Sequence, residues 1–469
     1  MGILLTEWMP EMRVGETEIQ DQVSAIVLAA GKGVRMRSAL PKVLHPIAGR
    51  PMIAHVLEAL RPLQPARIAV VIGPGMEAVA KAVAPAKTAI QDPPQGTGHA
   101  VMAARPLIEG AGGTILIVFG DTPLVTSPTL ARLVAAREAG AAVAVLGFRP
   151  ETPAQYGRLV EGPDGGLLRI VEFKDASPAE QAIGLCNAGV MAVAAEALPG
   201  LLEKLDKRNA QGEYYLTDLV AHARAAGLRA VSIEGDAEEV LGVNSRAELA
   251  LAEAALQRRL RAQAMAGGAT LLDPQTVYFS ADTKLGRDIV IGPNVVFGPE
   301  VEIADNVTIH AFCHIAGARV ASGAIIGPYA RLRPGTIVGA EAHVGNFVEL
   351  KNAVLGEGAK ANHLSYLGDT EIGAKVNIGA GTITCNYDGY GKYKTVIGAG
   401  AFIGSNSALV APVTIGAGAY VGSGSVITEE VPPDALALGR GRQAVKPGWA
   451  KTFREQKSAE KAGRKKEDI

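Results

Sequence analysis

The chain has 469 residues, a formal net charge of −1 at pH 7, 56 glycines and only 4% aromatic residues. This length exceeds what one hydrophobic core usually supports, so we expect two or more domains. The balanced charge gives no electrostatic basis for binding nucleic acid or a membrane surface, and we expect small-molecule substrates instead.

The three cysteines, Cys186, Cys313 and Cys385, lie far apart in the sequence. They form no CxxC pair and no zinc-binding spacing, which favours a reducing compartment and a cytoplasmic protein. In addition, no apolar run of the sequence is long enough to cross a membrane as a helix.

Residues 1–22 precede the first predicted strand. Acidic residues interrupt this stretch at Glu7, Glu11, Glu16 and Glu18. A secretory signal does not tolerate such charges in its apolar region, so we expect a flexible extension. Met1-Gly2 with Thr6 also fits the short N-myristoylation pattern, which chance often produces.

Residues 23–244 alternate between strand-like and helix-like segments. The strand-like segments are apolar and most end at glycine: 24–30, 67–73, 114–120 and 141–147. Helical patterns lie between them, for example at 51–60 and 128–138. This alternation predicts a Rossmann-like α/β domain with a doubly wound parallel sheet, whose ligands bind at the carboxyl ends of the strands.

Residues 245–268 predict one amphipathic helix that connects two domains. Ser245 and Glu248 have the spacing of a capping box. Three leucines mark an apolar stripe: Leu249, Leu256 and Leu260. Gly267-Gly268 then ends the helix.

Residues 269–440 contain a six-residue repeat. Aliphatic or aromatic residues recur in three runs: Ile291, Phe297, Ile303, Ile309 and Ile315; Ile326, Leu332, Val338, Val344 and Leu350; Ile397, Ile403, Leu409, Ile415, Val421 and Ile427. A short strand and a turn use six residues, and three such units close one triangular coil with its large side chains inside. The period predicts a parallel β-helix and disfavours an ordinary β-sandwich.

The repeat is interrupted at 355–366 and at 383–394. Insertions into a solenoid are commonly functional loops, so we expect both segments to project from the coils. Residues 441–469 are charged and aperiodic, and we expect an irregular, mobile tail.

Residues 28–36 read LAAGKGVRM and follow the first predicted strand. The dinucleotide motif GxGxxG is absent because Met36 stands in place of its third glycine, and GxxxxGK[ST] is absent too. The small residues still let backbone N–H groups approach the oxygens of a nucleotide. Arg35 and Lys42 can neutralise a triphosphate as it splits, which makes them candidate catalytic residues.

This motif, with Pro41-Lys42 after it, resembles the opening of the sugar-1-phosphate nucleotidyltransferases. Gln91 with residues 96–100 (GTGHA) is similar to the uridine-reading segment of the N-acetylglucosamine-1-phosphate uridyltransferases. Further matching segments are 119–123, 156–158, 172–175, 187–189, 209–215 and 242–244. With the repeat included, residues 24–440 resemble the bifunctional uridyltransferase/acetyltransferase family, although Phe119 replaces a usual tyrosine.

The resemblance implies roles for residues in most of these segments. The nucleotide would contact Leu28, Ala29, Ala30, Gly31, Lys42, Gln91, Gly96 and Thr97. The sugar phosphate would contact Gly157, Glu172, Asn187 and Asn244. Asp121 and Asn244 would bind Mg²⁺, which prefers oxygen ligands. From the sequence alone, each of these two could equally be a helix cap.

The second implied site transfers an acetyl group from a thioester to an amine, a reaction that needs a base. The resemblance implies that His363, in the first interruption, is this base and that Asn386 orients it. Glucosamine-1-phosphate would contact Arg333, Lys351, Tyr366 and Asn377. Acetyl-CoA would contact Ala380, Asn386, Tyr387, Ser405, Ser423 and Arg440, although alanine is usual at position 423.

Two nearby residue types have other interpretations. Cys385 would allow a covalent acyl-enzyme, but direct transfer to an amine requires none. His310 and His343 fall at coil positions and are expected to be structural.

The resemblance also implies a left-handed β-helix, a homotrimer, and two-step synthesis of UDP-N-acetylglucosamine. Acetyl-CoA would acetylate glucosamine-1-phosphate, and UTP with Mg²⁺ would then uridylylate the product. The expected domains are an extension, a uridyltransferase, a linker helix, an acetyltransferase β-helix and a tail: 1–22, 23–244, 245–268, 269–440 and 441–469.

Two other functions remain open on the sequence. One is a nucleotidyltransferase making ADP-glucose or GDP-mannose, in which the β-helix serves regulation or assembly. The other keeps the β-helix as a trimer-forming scaffold without chemistry.

Overall fold

The computed structural model describes residues 23–153 and 155–467. The predicted extension and the N-myristoylation pattern therefore lie outside the described residues. The chain divides into two compact units. The first runs through Gln263 and includes Tyr278–Ala281, and the second comprises Ala264–Val277 and the residues from Asp282 onward.

The first unit is an α/β domain. Its strands are β1 (Val23–Leu28), β2 (Pro46–Ile47), β3 (Arg50–Pro51), β4 (Arg67–Ile72), β5 (Lys87–Ile90), β6 (Thr114–Phe119), β7 (Val143–Phe148), β8 (Arg158–Glu161), β9 (Leu167–Val171), β10 (Cys186–Ala194) and β11 (Ala230–Glu234). Its helices are α1 (Met52–Leu60), α2 (Glu77–Ala82), α3 (Thr97–Ile108), α4 (Ser127–Glu138), α5 (Pro178–Gln181), α6 (Leu198–Leu202), α7 (Asp218–Ala225) and α8 (Arg246–Ala266), the last of which continues to the start of the second unit. Short 3₁₀ turns lie at Val34–Met36, Lys42–Leu44 and Arg61–Leu63.

The main sheet has the order β11-β7-β10-β6-β1-β4-β5, and buried apolar residues lie on both of its faces. The predicted Rossmann-like sheet is confirmed, and its strands are parallel except for β10. Strand β10 runs antiparallel to both β6 and β7. The chain reaches β10 through the β8–β9 hairpin and the short α5, without the long crossover that a parallel neighbour requires.

The buried face of helix α8 differs from the predicted leucine stripe. Ala252, Ala255 and Gln257 are buried, whereas the predicted leucines are half-buried. The buried Gln257 amide is satisfied by the backbone of Phe279, donating to its carbonyl at 2.7 Å and accepting from its N–H at 2.9 Å. Such pairing removes the cost of burying a polar group.

The second unit is built from very short strands. They are β12 (Ala269–Leu271), β13 (Lys284–Leu285), β14 (Ile289–Ile291), β15 (Val296–Phe297), β16 (Glu302–Ile303), β17 (Thr308–Ile309), β18 (His314–Ile315), β19 (Ala318–Val320), β20 (Ile325–Ile326), β21 (Arg331–Leu332), β22 (Thr336–Val338), β23 (His343–Asn346), β24 (Glu349–Leu355), β25 (Lys360–His363), β26 (Tyr366–Ile372), β27 (Asn377–Ile378), β28 (Ile383–Cys385), β29 (Thr395–Ile397), β30 (Phe402–Ile403), β31 (Ala408–Val410), β32 (Val413–Ile415), β33 (Tyr420–Val421), β34 (Val426–Ile427) and β35 (Leu436–Ala437). A 3₁₀ turn lies at Pro274–Thr276, and α9 is Trp449–Glu467.

These strands stack as a parallel β-helix. One face is the ladder β12-β14-β17-β20-β23-β25-β27-β30-β33-β35. The other two faces join into one sheet because β24 and β26 each run around a corner and pair on both sides of it. The periodic residues pair coil to coil, as Ile291 does with Ile309, and their side chains fill the interior.

The first predicted interruption was wrong. Residues 355–366 stay within the coils, where β25 pairs with β23 and β27. The aliphatic period fades there because Ala361 fills an inward position, paired with Val344. The coil is also one residue shorter than the coil before it, which shifts the phase.

The second predicted interruption is confirmed. The chain leaves the coil after β28 and returns at β29, and Tyr387 and Lys392 form an antiparallel bridge within this loop. The prediction of an irregular tail was wrong for 449–467, which form α9. Lysine, glutamate and alanine are strong helix formers, and the stacked rings of Trp449 and Phe453 support the first turn.

Within the described residues, no helix combines the length and the apolar character needed to span a membrane.

Replacing Leu350 by alanine should destabilise the β-helix. The side chain is fully buried in the prism, so we expect the free energy of unfolding to fall by about 2–5 kcal/mol in urea denaturation. Ile337 lies on a neighbouring face with 45% of its surface exposed. Ile337→Ala is the matched control and should cost less than about 1 kcal/mol. Equal losses would show that the inward positions do not form the core.

Candidate active sites

A cavity of about 390 Å³ lies at the carboxyl ends of β1 and β6 in the first unit. Its lining includes every predicted nucleotide contact: Leu28, Ala29, Ala30, Gly31, Lys42, Gln91, Gly96 and Thr97. Asp121 lines the same cavity. Gly120 donates to the Leu28 carbonyl at 2.9 Å, which ties the end of β6 to the end of β1.

The turn after β1 brings Lys42 into the cavity wall. Gly33 has φ +61°, and a Cβ at this position would lie 2.5 Å from the Lys42 Cβ. Glycine is therefore required both by the backbone conformation and by the close approach of Lys42. The lysine side chain is buried, although lysine is seldom buried without a charged partner.

The partners of Lys42 are the two predicted metal ligands. Its ammonium forms an ion pair with Asp121 and donates to the Asn244 Oδ1 at 2.9 Å. The two segments are held together because the Val243 N–H donates to the Asp121 carbonyl at 2.9 Å.

Neither Asp121 nor Asn244 caps a helix. Thr126 caps α4. At the start of α8, the Ser245 hydroxyl accepts from the Glu248 N–H, and the Glu248 carboxylate accepts from the Ser245 hydroxyl and the Asn244 N–H. Helix capping therefore does not explain the positions of the Asp121 and Asn244 side chains.

The donor set fits a magnesium ion. One cationic nitrogen contacts oxygens of both Asp121 and Asn244, so the two oxygens lie within reach of a single cation. A carboxylate and an amide oxygen suit Mg²⁺, which takes its remaining ligands from water and phosphate.

The predicted base-reading segment is held by hydrogen bonds and close backbone contacts. The Gln91 amide nitrogen donates to the Gly96 carbonyl at 2.9 Å and contacts the His99 Nδ1 at 3.3 Å. Gly96 has φ +100°, and a Cβ there would lie 2.6 Å from the Tyr214 carbonyl oxygen. Thr97 begins α3, and its hydroxyl accepts from the Leu216 N–H at 3.1 Å.

The predicted sugar-phosphate residues form a second group. Asn187 donates its N–H to the Gly157 carbonyl at 2.8 Å, and its side-chain oxygen accepts from the Gly189 N–H at 2.9 Å. A Cβ on Gly157 would lie 3.5 Å from the Glu172 carboxylate, so these residues are close together. Burial raises the pKa of Glu172, and the nearby charges of Asp175 and Asp218 raise it further, against a hydrogen bond from Thr217.

One predicted catalytic residue stands apart. Arg35 lies exposed on the 3₁₀ turn and forms no hydrogen bond or ion pair with any other described residue. Conversely, Lys32, Phe119 and Glu213 line the cavity without having been assigned a role. Glu213 lies in the matching segment 209–215, but only tertiary packing brings its side chain to the cavity.

In the second unit, His363 lies in a column at one corner of the prism. We call this the His363 column: Asn346, His363, Ala380, Ser405 and Ser423. Each member stands two residues after an inward-facing residue. These inward residues lie on successive strands of one face. The last member is next to Arg440, which donates to the Ser423 carbonyl at 2.9 Å. Three predicted acetyl-CoA contacts therefore align with the predicted base.

The expectation that Asn386 orients His363 was wrong. The His363 Nδ1 is 2.6 Å from the Asn346 Oδ1, while the Asn386 amide donates to Asp369. Asn346 and His363 pair across adjacent coils, whereas Asn386 follows a strand of another face and stands at a different corner. His363 is exposed at the end of β25, and it does not sit on a projecting loop.

Asp369 is a residue that sequence reasoning missed. It is the centre of the Asp369 column, which comprises Asn352, Asp369 and Asn386 at the second corner. Its carboxylate accepts from the Asn352 amide at 2.8 Å and from Asn386, and it pairs with Lys351 at 3.3 Å. Burial opposes its ionisation, but these hydrogen bonds and the charge of Lys351 outweigh burial and hold the pKa of Asp369 below its ordinary value.

Cations gather beside this column. Arg333 donates to the Glu349 carboxylate at 2.8 Å, and Lys351 occupies the next coil. Lys392, from the inserted loop, faces Lys351. The pKa of Lys392 is lowered because its amino group contacts that of Lys351, whose positive charge opposes protonation. An anion bound here would relieve this repulsion.

The remaining predicted residues surround these two columns. Tyr366 begins β26, with its hydroxyl and the Asn386 amide both close to Gly368. Asn377 begins β27 and pairs with Lys360, three residues before His363. Tyr387 lies exposed in the inserted loop. Cys385 is a free, half-buried thiol at the end of β28.

The histidines expected to be structural differ in setting from His363. Burial lowers the pKa of His343, and the neighbouring charges of His310, Lys360 and His363 lower it further. His343 and His310 lie on earlier coils of the face that carries His363.

Comparison with known proteins gives consistent results for both units. Residues 25–264 match the MobA-like NTP transferase domain family. Residues 282–317 and 394–429 match the bacterial transferase hexapeptide family, which has six repeats. The hexapeptide match agrees with the predicted left-handed hand of the β-helix.

Full-length relatives also match. A bifunctional protein GlmU of Rhodospirillum rubrum is 61% identical over 435 residues, 92% of this chain and 97% of the relative. That of Xanthobacter autotrophicus is 59% identical over 440 residues, 93% and 98% of the two chains. That of Paramagnetospirillum magneticum is 56% identical over 443 residues, 94% and 98% of the two chains.

Glu172→Gln should make the first unit more stable at neutral pH. The pKa of Glu172 is raised in the folded protein, so the folded state holds the proton more tightly than the unfolded state. The free energy of unfolding therefore falls as pH rises above the unfolded pKa of about 4.3 and through the folded pKa. Glutamine removes this loss.

Urea denaturation between about pH 4 and pH 8 measures the difference. The advantage of the glutamine variant should be present at pH 7 and shrink towards pH 4. Glu151→Gln, at an exposed position, is the control and should show no such dependence. A Glu172→Gln protein less stable than the unsubstituted chain at pH 7 would contradict the assignment of a buried, strained carboxylate.

Proposed function

The chain belongs to the family of bifunctional GlmU proteins, and on that premise we propose that it makes UDP-N-acetylglucosamine in two steps. The β-helix acetylates glucosamine-1-phosphate with acetyl-CoA. The α/β domain then transfers a uridylyl group from UTP to N-acetylglucosamine-1-phosphate and releases pyrophosphate. The alignment of His363 with the predicted acetyl-CoA contacts carries this proposal, because it places a candidate base and a candidate surface for the acetyl donor at the same corner of the prism.

In the uridylyl transfer, the turn from Leu28 to Gly31 receives the nucleotide and Lys42 neutralises its phosphates. The oxygen of the sugar phosphate attacks the α-phosphorus of UTP, so positive charge near the departing pyrophosphate lowers the barrier. Asp121 and Asn244 would hold Mg²⁺, which supplies such charge when bound. Arg35 is exposed on the turn, where it can reach the outer phosphates.

The sugar phosphate contacts Gly157, Glu172 and Asn187, which lie close together. Glu172 is a buried carboxylate with a hydrogen bond from Thr217 at 3.2 Å. A carboxylate accepts hydrogen bonds from sugar hydroxyls, and such contacts fix the sugar for attack.

In the acetyl transfer, the substrate phosphate binds the cations beside the Asp369 column. Arg333 and Lys351 lie on adjacent coils, and each is already held by a carboxylate. Holding both cations in place reduces the entropy lost when the phosphate binds. Tyr366 and Asn377 flank the amine, and His363 accepts its proton.

Acetyl-CoA extends along the later coils of the His363 column. Ala380, Ser405 and Ser423 present small side chains there, and Arg440 lies next to Ser423. Asn386 stands at the second corner, and Tyr387 lies in the inserted loop that follows it. The alternative is a single-activity sugar-1-phosphate nucleotidyltransferase with a structural β-helix. The cation cluster and the aligned base favour the two-reaction enzyme.

We also propose that the enzyme is a homotrimer. An aromatic column supports this proposal: Phe312, Tyr329 and Phe347 stack along one corner with ring centroids 4.9 and 5.0 Å apart, and each is about half exposed. Leu364 continues the column with 61% exposure. A contiguous exposed apolar strip is typical of a protein–protein interface.

The three free cysteines are in keeping with a reducing cytoplasm.

Two substitutions should separate the two reactions. His363→Ala should lower CoA release from acetyl-CoA and glucosamine-1-phosphate by about 100-fold or more, because the base is lost. Asp121→Asn should lower pyrophosphate release from UTP and N-acetylglucosamine-1-phosphate by a similar factor, because the cation is held less tightly. Each variant should retain the other activity.

Both activities are measured on the same preparation, so each serves as a control for the other. Full CoA release by His363→Ala would exclude His363 as the base. Failure of the unsubstituted protein to release CoA would leave only the nucleotidyltransferase.

Tyr329→Glu should disrupt the trimer. A carboxylate in the middle of the aromatic column cannot be buried at an interface without a large cost. Light scattering coupled to size-exclusion chromatography should detect smaller species. Ile337→Glu, exposed on another face, should remain trimeric. A Tyr329→Glu protein with unchanged mass would exclude the aromatic column from the interface.

A further inference from the structure

Asn346 and His363 form a side-chain pair outside the predicted roles. The Asn346 Oδ1 lies 2.6 Å from the His363 Nδ1. Asn346 ends β23 and His363 ends β25, and the ladder between these strands places the two residues directly opposite one another. The pair is therefore fixed by the stacking of coils.

The contact determines which ring nitrogen can act as a base. An amide oxygen has no proton to give, so the Nδ1 of His363 must carry the proton that is shared with Asn346. In the neutral ring, the lone pair is then left on Nε2. The ring is also held in one orientation, because its partner belongs to a rigid coil.

We propose that Asn346 is a positioning residue that holds His363 in the tautomer whose Nε2 accepts the proton of the substrate amine. This inference rests on the proposed acetyl transfer. In that reaction, the amine nitrogen bonds to the acetyl carbon, the C–S bond breaks, and the proton lost by nitrogen moves to Nε2. His363 then returns the proton to the departing thiolate of CoA.

The neutral character of Asn346 matters as much as its position. The titratable groups on the strands around His363 are Lys360 on β25, His343 on β23, and Tyr366, Asp369 and Glu371 on β26. The carboxylates of Glu349 and Asp369, on the next face, are paired with Arg333 and Lys351. An amide at position 346 therefore orients the ring without placing a negative charge beside it.

Two substitutions test the orientation and the charge separately. Asn346→Ala removes the acceptor, and we expect kcat for acetyl transfer to fall about 10- to 100-fold with KM for acetyl-CoA nearly unchanged. Asn346→Asp keeps an acceptor and adds a charge that favours the imidazolium. Its acetyl-transfer rate should recover at high pH, and the acid limb of its pH–rate profile should move up by about one unit or more.

The matched control is Asn294→Asp, which makes the same chemical change at an exposed corner of an early coil. Its pH–rate profile should superimpose on that of the unsubstituted enzyme. The melting temperature and mass of each variant exclude loss of folding or assembly as the cause.

The inference is overturned if Asn346→Ala retains full acetyl transfer, or if the acid limb of Asn346→Asp does not move. A merely structural role would lower the rate of both variants without moving the acid limb. If the unsubstituted enzyme releases no CoA at any pH, the proposed acetyl transfer itself fails, which is a different result.

Discussion

The second unit depends on one constraint, which is that each coil hydrogen-bonds in register with the next. Inward residues such as Ile309, Ile326 and Val344 stack face to face, and a slip by one residue would turn them outward. The same register aligns the outward and corner residues. Asn346 meets His363, and Asn352 meets Asp369, because the register set by the interior places them opposite one another on adjacent coils. The positions of the site residues therefore follow from the packing of the core.

The first unit reaches a comparable result through its sheet. Parallel strands β1 and β6 end at the same edge, so the turn after one and the carboxylate after the other meet there. The approach of Lys42 needs the left-handed backbone of Gly33, and the approach of Asn244 needs the hydrogen bond between Val243 and Asp121. Residues more than a hundred positions apart thus share one cation site.

Much of this architecture could be predicted from the sequence. The strand ends and the turn at Leu28–Gly31 follow from local patterns, and the six-residue period specified the prism. The antiparallel β10 could not be predicted, because strand direction depends on a connection whose hairpin has a weak pattern. The first interruption was misjudged because Ala361 fills an inward position that larger residues occupy elsewhere. Asn386 was paired with the wrong residue, and Asp369 was missed, because corner membership depends on an exact count of residues per coil.

The His363 column has a dimensional consequence. Successive strands of a sheet are separated by about 4.8 Å, so the three steps from His363 to Ser423 span about 14 Å. The number of coils, and no single side chain, sets this length. The number of stacked coils therefore sets the length available to an extended ligand at the proposed acetyl-CoA site. Removing one coil between 363 and 423 would shorten that length by one strand spacing and leave the pairing of the remaining coils unchanged.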